Sequence, residues 1–119
     1  MDEVQHSSEG FRRSLAVHSG SRDFGLLTAA GELDDRGYAR VAGRMTEPKR
    51  SEGGVWAVWN DEAIEFPPLA AEDEQEVRAI GIYDDGVLLA SVAVEPFTPI
   101  PRLQPRFPIG KIVVRVGVA

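Results

Sequence analysis

The sequence predicts an all-β protein: a two-sheet antiparallel β-sandwich of six to eight strands, with at most one short N-terminal helix. Glycine (12) and proline (8) fall between short apolar runs, which is typical of many short strands joined by turns. The stretch 76–95 predicts two strands joined by Asp85-Gly86, which has the chemistry of a type I′ turn. Both strands carry apolar residues on both faces, so we expect this hairpin to lie inside a two-layer body. A closed barrel is the alternative.

The remaining elements follow from the same signals. Residues 1–22 are predicted to be an N-terminal arm or short helix, and residues 23–119 to be the sandwich domain. Strands are expected over 24–29, 38–46, 55–59 and 63–66 before the hairpin, and over 111–118 after it. An acidic loop, 72–76, leads into the hairpin. Segment 96–108 holds five of the eight prolines and predicts an extended surface loop of polyproline character.

Composition limits the possible partners and compartments. The 119 residues are enough for one domain with its own core, and a net charge of −6 argues against a nucleic-acid partner. No apolar run approaches the roughly 20 residues that a membrane-spanning helix needs. The acidic start of the chain is unlike a secretory signal, so we expect a protein made in the cytoplasm. The chain has no cysteine for disulfides or thiolate metal sites.

The residues that enzymes use are sparse and badly spaced for chemistry. The two histidines, His6 and His18, lack a metal-ligand spacing, and neither a nucleophile elbow nor a phosphate-binding glycine loop is present. A glycosidase-like carboxylate pair is conceivable, but turn chemistry already explains three of its five candidates: Asp61, Glu62, Glu65, Asp84 and Asp85. The sequence therefore predicts no catalytic residue, no metal site and no cofactor. We expect a protein that is not an enzyme.

Seven residues are predicted to bind a partner protein. Trp56 and Trp59 are three apart and face opposite sides of a strand, so one of them is free to act as an interface anchor. The proline-rich segment supplies the other five, with apolar contacts and two cations for carboxylates: Phe97, Ile100, Leu103, Arg102 and Arg106. One hypothesis lays this segment along a neighbouring subunit, against an acidic loop such as 72–76. The other wraps it around its own domain to cover a sheet edge.

The order of several short motifs resembles a known family. These motifs are Leu27-Thr28-Ala29, Gly37-Tyr38-Ala39-Arg40, Asn60 with Ile64-Glu65-Phe66-Pro67, Ile80-Gly81-Ile82-Tyr83-Asp84, Leu88-Leu89 and Phe107-Pro108-Ile109-Gly110-Lys111-Ile112. Over residues 24–118 the chain is similar to the small tail-fibre-like or minor virion structural proteins of tailed bacteriophages. The resemblance implies a non-enzymatic part of the virion, in the tail, tail fibre or neck or as capsid decoration. It implies as partners other virion proteins and copies of the chain itself, a trimer among the options.

Two further interpretations stay open at this point. A monomeric glycan- or ligand-binding β-sandwich module would use one exposed tryptophan, and a small hydrolase is a more distant alternative. Within the Tyr38-Ala39-Arg40 motif, the structural interpretation packs Tyr38 at a strand start and pairs Arg40 with a neighbouring carboxylate. The functional interpretation presents Arg40 to a partner.

Overall fold

A computed structural model describes residues 16–50 and 53–116 of the chain. The described residues form ten strands and confirm the all-β prediction: β1 (Gly20–Thr28), β2 (Gly31–Glu32), β3 (Val41–Met45), β4 (Lys49–Arg50), β5 (Trp56–Trp59), β6 (Ile64–Glu65), β7 (Val77–Asp84), β8 (Val87–Phe97), β9 (Arg106–Phe107) and β10 (Val113–Val116). This count exceeds the predicted six to eight because β2, β4, β6 and β9 have two residues each. Short pairings of this kind leave little periodic signal in a sequence.

The first strand begins earlier than predicted. β1 starts at Gly20 and pairs with β3 from its first residue, Gly20 opposite Met45, so Gly20–Arg22 belong to the sheet rather than to an arm. The pairing partner, and not the polarity of Ser21 and Arg22, decides where this strand starts. The predicted short helix falls on residues 1–15, outside the described residues.

Three antiparallel sheets make up the described structure. The largest has five strands in the order β2-β1-β7-β8, with β3 also paired to β1. A second sheet runs β10-β5-β4, and β6 pairs with β9 in a two-stranded ribbon. Three later strands, β2, β3 and β7, pair with β1. β1 and β7 are therefore the central strands of the large sheet.

One hydrophobic core joins the three sheets. On the large sheet, Phe24 lies opposite Ile82 and Leu26 opposite Ile80, and all four side chains are fully buried. The same cluster takes in residues from the other two sheets and from the connections: Val58, Ile64, Phe66, Leu69, Phe107 and Ile112. Burying side chains from every sheet in one cluster ties the sheets into one folding unit.

The hairpin is partly as predicted. Asp85 (φ 50°) and Gly86 (φ 81°) both have positive φ, as a type I′ turn requires, which confirms the predicted turn. The expectation that both strands are enclosed is wrong for β8, because β8 is the last strand of the large sheet and exposes Val87 (62%) and Leu88 (48%). Apolar residues on both faces gave no information about which strand ends the sheet.

The proline-rich segment is more regular than a polyproline loop. β8 continues through Pro96 to Phe97, which an edge strand permits because its outer side needs no donor. Arg106 and Phe107 form β9 against β6. Between them, backbone bonds join the segment to residues 66–69: Leu69 N–H to Leu103 O (2.9 Å), Arg102 N–H to Leu69 O (2.8 Å) and Phe66 N–H to Pro105 O (2.8 Å). The segment therefore wraps its own domain.

Within the described part of the chain, no helix has the length and apolar character to cross a membrane.

Candidate interaction surface

Two loops of opposite charge emerge side by side where β7 begins and β8 ends. The predicted acidic run 72–76 lies in a loop, residues 70–76, that connects Leu69 to Val77, and we call this whole loop the acidic loop. The proline loop (98–105) follows Phe97. Val77 is the register partner of Phe97, and Leu69 shares two backbone hydrogen bonds with Arg102 and Leu103. Both loops are thus anchored to each other at their bases. We call this part of the molecule, residues 70–76 and 98–106, the loop end.

Hydrogen bonds hold the backbone of the loop end in a defined shape. Ala71 (φ 52°) and Arg102 (φ 71°) adopt left-handed conformations that side chains other than glycine rarely take. The carboxylate of Asp35 accepts the N–H groups of Ala70 (2.9 Å), Ala71 (2.7 Å) and Gly37 (2.9 Å). Burial opposes ionisation of Asp35, but these three donors and the charge of Arg36 together outweigh it and lower the pKa of Asp35. Asp35 therefore fixes the start of the acidic loop.

The charges of the loop end do not neutralise one another. On the acidic loop, Glu72 pairs with Arg36 (3.1 Å) and Glu76 with Arg78 (2.9 Å), both solvent-exposed pairs of the kind that contributes little stability. The exposed carboxylates of Asp73 and Glu74 make no ion pair with a described cation. The exposed guanidinium groups of Arg102 and Arg106 likewise make no ion pair with a described carboxylate. Within residues 16–50 and 53–116, therefore, neither the two carboxylates nor the two guanidinium groups are neutralised by an ion pair.

The proline loop also carries an exposed apolar side chain. Ile100 stands between Pro99 and Pro101 and is 64% exposed. Phe97 and Leu103, the other apolar residues predicted to bind a partner, are half-buried, and Phe97 packs against the core. Of the three apolar residues predicted to bind a partner, Ile100 is therefore well exposed, and Phe97 and Leu103 expose only part of their side chains.

A groove runs beside the end of β8. Its volume is about 470 Å³, and it lies between Ala93–Glu95 of β8 and the segment that follows the proline loop, with lining residues Arg106, Phe107, Pro108 and Lys111. A second concavity of about 350 Å³ is lined by Phe97 and by Leu103 to Phe107, so Arg106 and Phe107 line both. We call the two together the edge groove.

The strand that forms one wall of the edge groove has a free side. Among the described strands β8 pairs with β7 alone, so its other edge has no strand partner. From Val87 to Val94 the sequence of β8 carries no charge. A long, uncharged and unpaired strand edge is a template for pairing with another chain. Sequence reasoning missed this feature, since strand order is set by long-range pairing.

The two tryptophans lie elsewhere. Trp56 and Trp59 are on β5, in the three-stranded sheet, and both are half-buried. Trp56 packs against the core, and neither side chain lines the edge groove. The structure therefore does not bring the tryptophans together with the five residues of the proline-rich segment.

The Tyr38-Ala39-Arg40 motif forms a closed cluster on the outer face of the large sheet. Arg40 donates two hydrogen bonds to Glu32, from Nε (2.8 Å) and Nη2 (2.9 Å), and its guanidinium lies 3.7 Å from the ring centre of Tyr83. The hydroxyl of Tyr38 donates to Glu32 and accepts the N–H of Leu26. The bond from Arg40 lowers the pKa of Glu32, while burial and then Glu32 raise the pKa of Tyr38. Arg40 thus pairs with a carboxylate, as the structural interpretation predicted.

The carboxylates considered for catalysis lie in the turn after β5 (Asp61, Glu62), on β6 (Glu65) and at the end of β7 and the turn that follows it (Asp84, Asp85). Asp61 lies 3.5 Å from Arg44, and Asp85 forms the hairpin turn. Within residues 16–50 and 53–116, no three side chains of the metal-binding types are grouped so as to hold an ion.

Two candidate binding surfaces result, the loop end and the edge groove. Two loops of opposite charge are joined at their bases at the loop end, and a strand edge unpaired among the described strands borders the edge groove. No family model, no curated protein and no solved structure matches the chain.

Proposed function

We propose that this protein is a non-enzymatic structural protein that works by binding other proteins, as a component of a phage virion. The observation that carries the proposal is the outer edge of β8, which is unpaired among the described strands and borders the edge groove. Adding a strand to such an edge satisfies backbone hydrogen bonds along its whole length, and a neighbouring groove then selects the side chains.

The composition of β8 supports an edge that is kept free for a partner. Sheet edges are ordinarily protected by short length, charge, proline or a covering loop. β8 has eleven residues, and its only charge and its only proline, Glu95 and Pro96, come at the far end. Val87 and Leu88 are left exposed at the near end. An edge of this kind is a liability in a protein that never binds another chain.

The virion setting is supported by the motif order. The motifs quoted from residues 24–118 resemble those of small tail-fibre-like and minor virion proteins, and the all-β architecture suits such parts. Closed symmetric assemblies are the usual state of proteins that bind copies of themselves. We place the protein in the tail, tail fibre, neck or capsid decoration, with other virion proteins as its partners.

Incorporation into particles tests the proposal. In cells that produce the phage whose genome encodes this chain, mass spectrometry of purified particles should detect the protein. Ala93→Lys puts a charge on β8 within the edge groove and should lower incorporation about tenfold, equivalent to about 1.4 kcal/mol of binding. Ala42→Lys, at an exposed position of β3, is the matched control and should be incorporated like the unmodified protein.

Two results would overturn the proposal. One is particles that lack the protein. The other is equal incorporation of Ala93→Lys and the unmodified protein, with both variants shown to be folded by circular dichroism.

A further inference from the structure

We propose that the loop end is a self-association surface on which two copies of this chain dock about a two-fold axis. Each acidic loop lies on Arg102 and Arg106 of the other copy, and the two Ile100 side chains meet near the axis. This inference rests on the proposed function, because it names one partner of a protein that acts through protein–protein contacts. It uses the charged side chains of the loop end and not the backbone edge of β8, although Arg106 also lines the edge groove.

Charge complementarity is the first reason to choose a second copy as the partner. The surface carries both signs: Asp73 and Glu74 on the acidic loop, Arg102 on the proline loop and Arg106 at the start of β9. None of these four side chains makes an ion pair with an oppositely charged residue in the described part of the chain. A partner must therefore present the same two signs in the opposite order. A second copy turned by 180° does so.

The anchoring of the loops makes the contact reciprocal. The bonds between Leu69 and the pair Arg102 and Leu103, together with the Val77–Phe97 pairing, keep the two loops adjacent. A two-fold axis passing between adjacent patches of opposite charge brings each patch onto its complement in the other copy. Contacts of this kind use the same surface on both partners and close on themselves as a dimer.

Rigidity and exposed apolar area favour the same surface. Pro99 and Pro101 restrict the backbone around Ile100, and hydrogen bonds to Asp35 and Leu69 hold both left-handed residues in place. A surface that is already ordered loses less entropy when it binds. Ile100 is 64% exposed and would become buried in the dimer, which adds a hydrophobic contribution to the ion pairs.

Charge reversal in two sets of variants tests the proposal. The first set, Arg102→Glu with Arg106→Glu, makes both loops acidic. The second set, Asp73→Lys with Glu74→Lys, makes both loops basic and leaves the Arg36–Glu72 and Arg78–Glu76 pairs intact. Analytical ultracentrifugation should give twice 13.0 kDa for the unmodified chain and 13.0 kDa for each variant alone. An equal mixture of the two variants should again give dimers, since every contact then joins opposite charges.

Several results would overturn the proposal. These are a monomeric unmodified chain, an unmodified dimer that both charge reversals leave intact, a mixture that stays monomeric, and a mixture that forms open-ended polymers. Glu47→Lys with Asp84→Lys changes net charge as much as the second set at other exposed positions, and should leave the dimer intact. Arg102→Glu alone keeps the test usable if the change at β9 prevents folding. A monomer that is still incorporated into particles would refute this inference and leave the proposed function standing.

Discussion

Asn60 shows how a single side chain joins distant parts of the chain. It is fully buried, and its Nδ2 donates to the carbonyl oxygens of Glu62 and Pro108, both at 2.9 Å. Its Oδ1 accepts the N–H of Ile112 at 2.9 Å. The sequence predicted a turn at 60–62, but Pro108 and Ile112 are 48 and 52 residues away, so no local signal indicates these bonds.

Removing this side chain should be costly. Asn60→Ala leaves the buried N–H of Ile112 without its partner, at about 1–3 kcal/mol for an unsatisfied group, whereas the carbonyl oxygen of Pro108 keeps the N–H of Lys111 (3.1 Å). We expect a loss of about 1–3 kcal/mol in the free energy of unfolding, measured by urea denaturation. The control is Glu62→Ala, which keeps the backbone carbonyl that Asn60 uses and should change stability by less than about 0.5 kcal/mol. Equal stability of the two variants would refute this role.

At the scale of elements, β3 passes very close to the core. A Cβ atom built on Gly43 would overlap Cδ1 of Ile64 and lie 2.8 Å from Cε2 of Phe24, and both of those side chains are fully buried. Only a residue without a side chain lets β3 approach β6 and β1 this closely. Gly53 offers a contrast, since its Cβ would meet nothing within 4 Å.

Gly43→Ala is therefore expected to destabilise the protein by about 1–3 kcal/mol, the usual cost of overpacking a core. Gly53→Ala is the matched control. Because alanine lowers the conformational entropy of the unfolded chain, this substitution should leave the free energy of unfolding unchanged or raise it by up to about 1 kcal/mol. Thermal unfolding followed by circular dichroism distinguishes the two. Similar melting temperatures for both variants would contradict the close approach of β3.

Local chemistry predicted some elements well and others poorly. The Asp85-Gly86 turn and the β7–β8 hairpin follow from residues within a few positions of one another, and both were found. The exposure of β8 and the pairing of Arg106–Phe107 with β6 depend on partners more than forty residues away. The acidic run and the two arginines were visible in the sequence. The joining of their two segments was not, because it depends on the long-range bonds between Leu69 and the pair Arg102 and Leu103.

At the scale of the whole molecule, the shared core predicts a single unfolding transition. Leu26 lies on the large sheet and Val58 on the three-stranded sheet, and both belong to one cluster. Both tryptophans are on β5, so tryptophan fluorescence reports on the three-stranded sheet, while far-ultraviolet circular dichroism reports on all strands. Small domains with one core usually unfold in an all-or-none manner.

The two signals should therefore change at the same denaturant concentration. Leu26→Ala is expected to destabilise the protein by about 2–5 kcal/mol and to shift the fluorescence transition as far as the dichroism transition, although no tryptophan lies on its sheet. A fluorescence midpoint unmoved by Leu26→Ala would show that the sheets unfold independently.

The turn at Asp85-Gly86 is a suitable site for attaching a label. It lies at one tip of a hairpin whose other tip is the Val77–Phe97 pair, and the eight residues of β7 separate the two by about 25 Å. A fluorophore or epitope inserted after Asp85 would project from the end of the hairpin opposite the acidic and proline loops. Such a label would mark the protein's orientation in an image of the particle without touching the loop end or the edge groove.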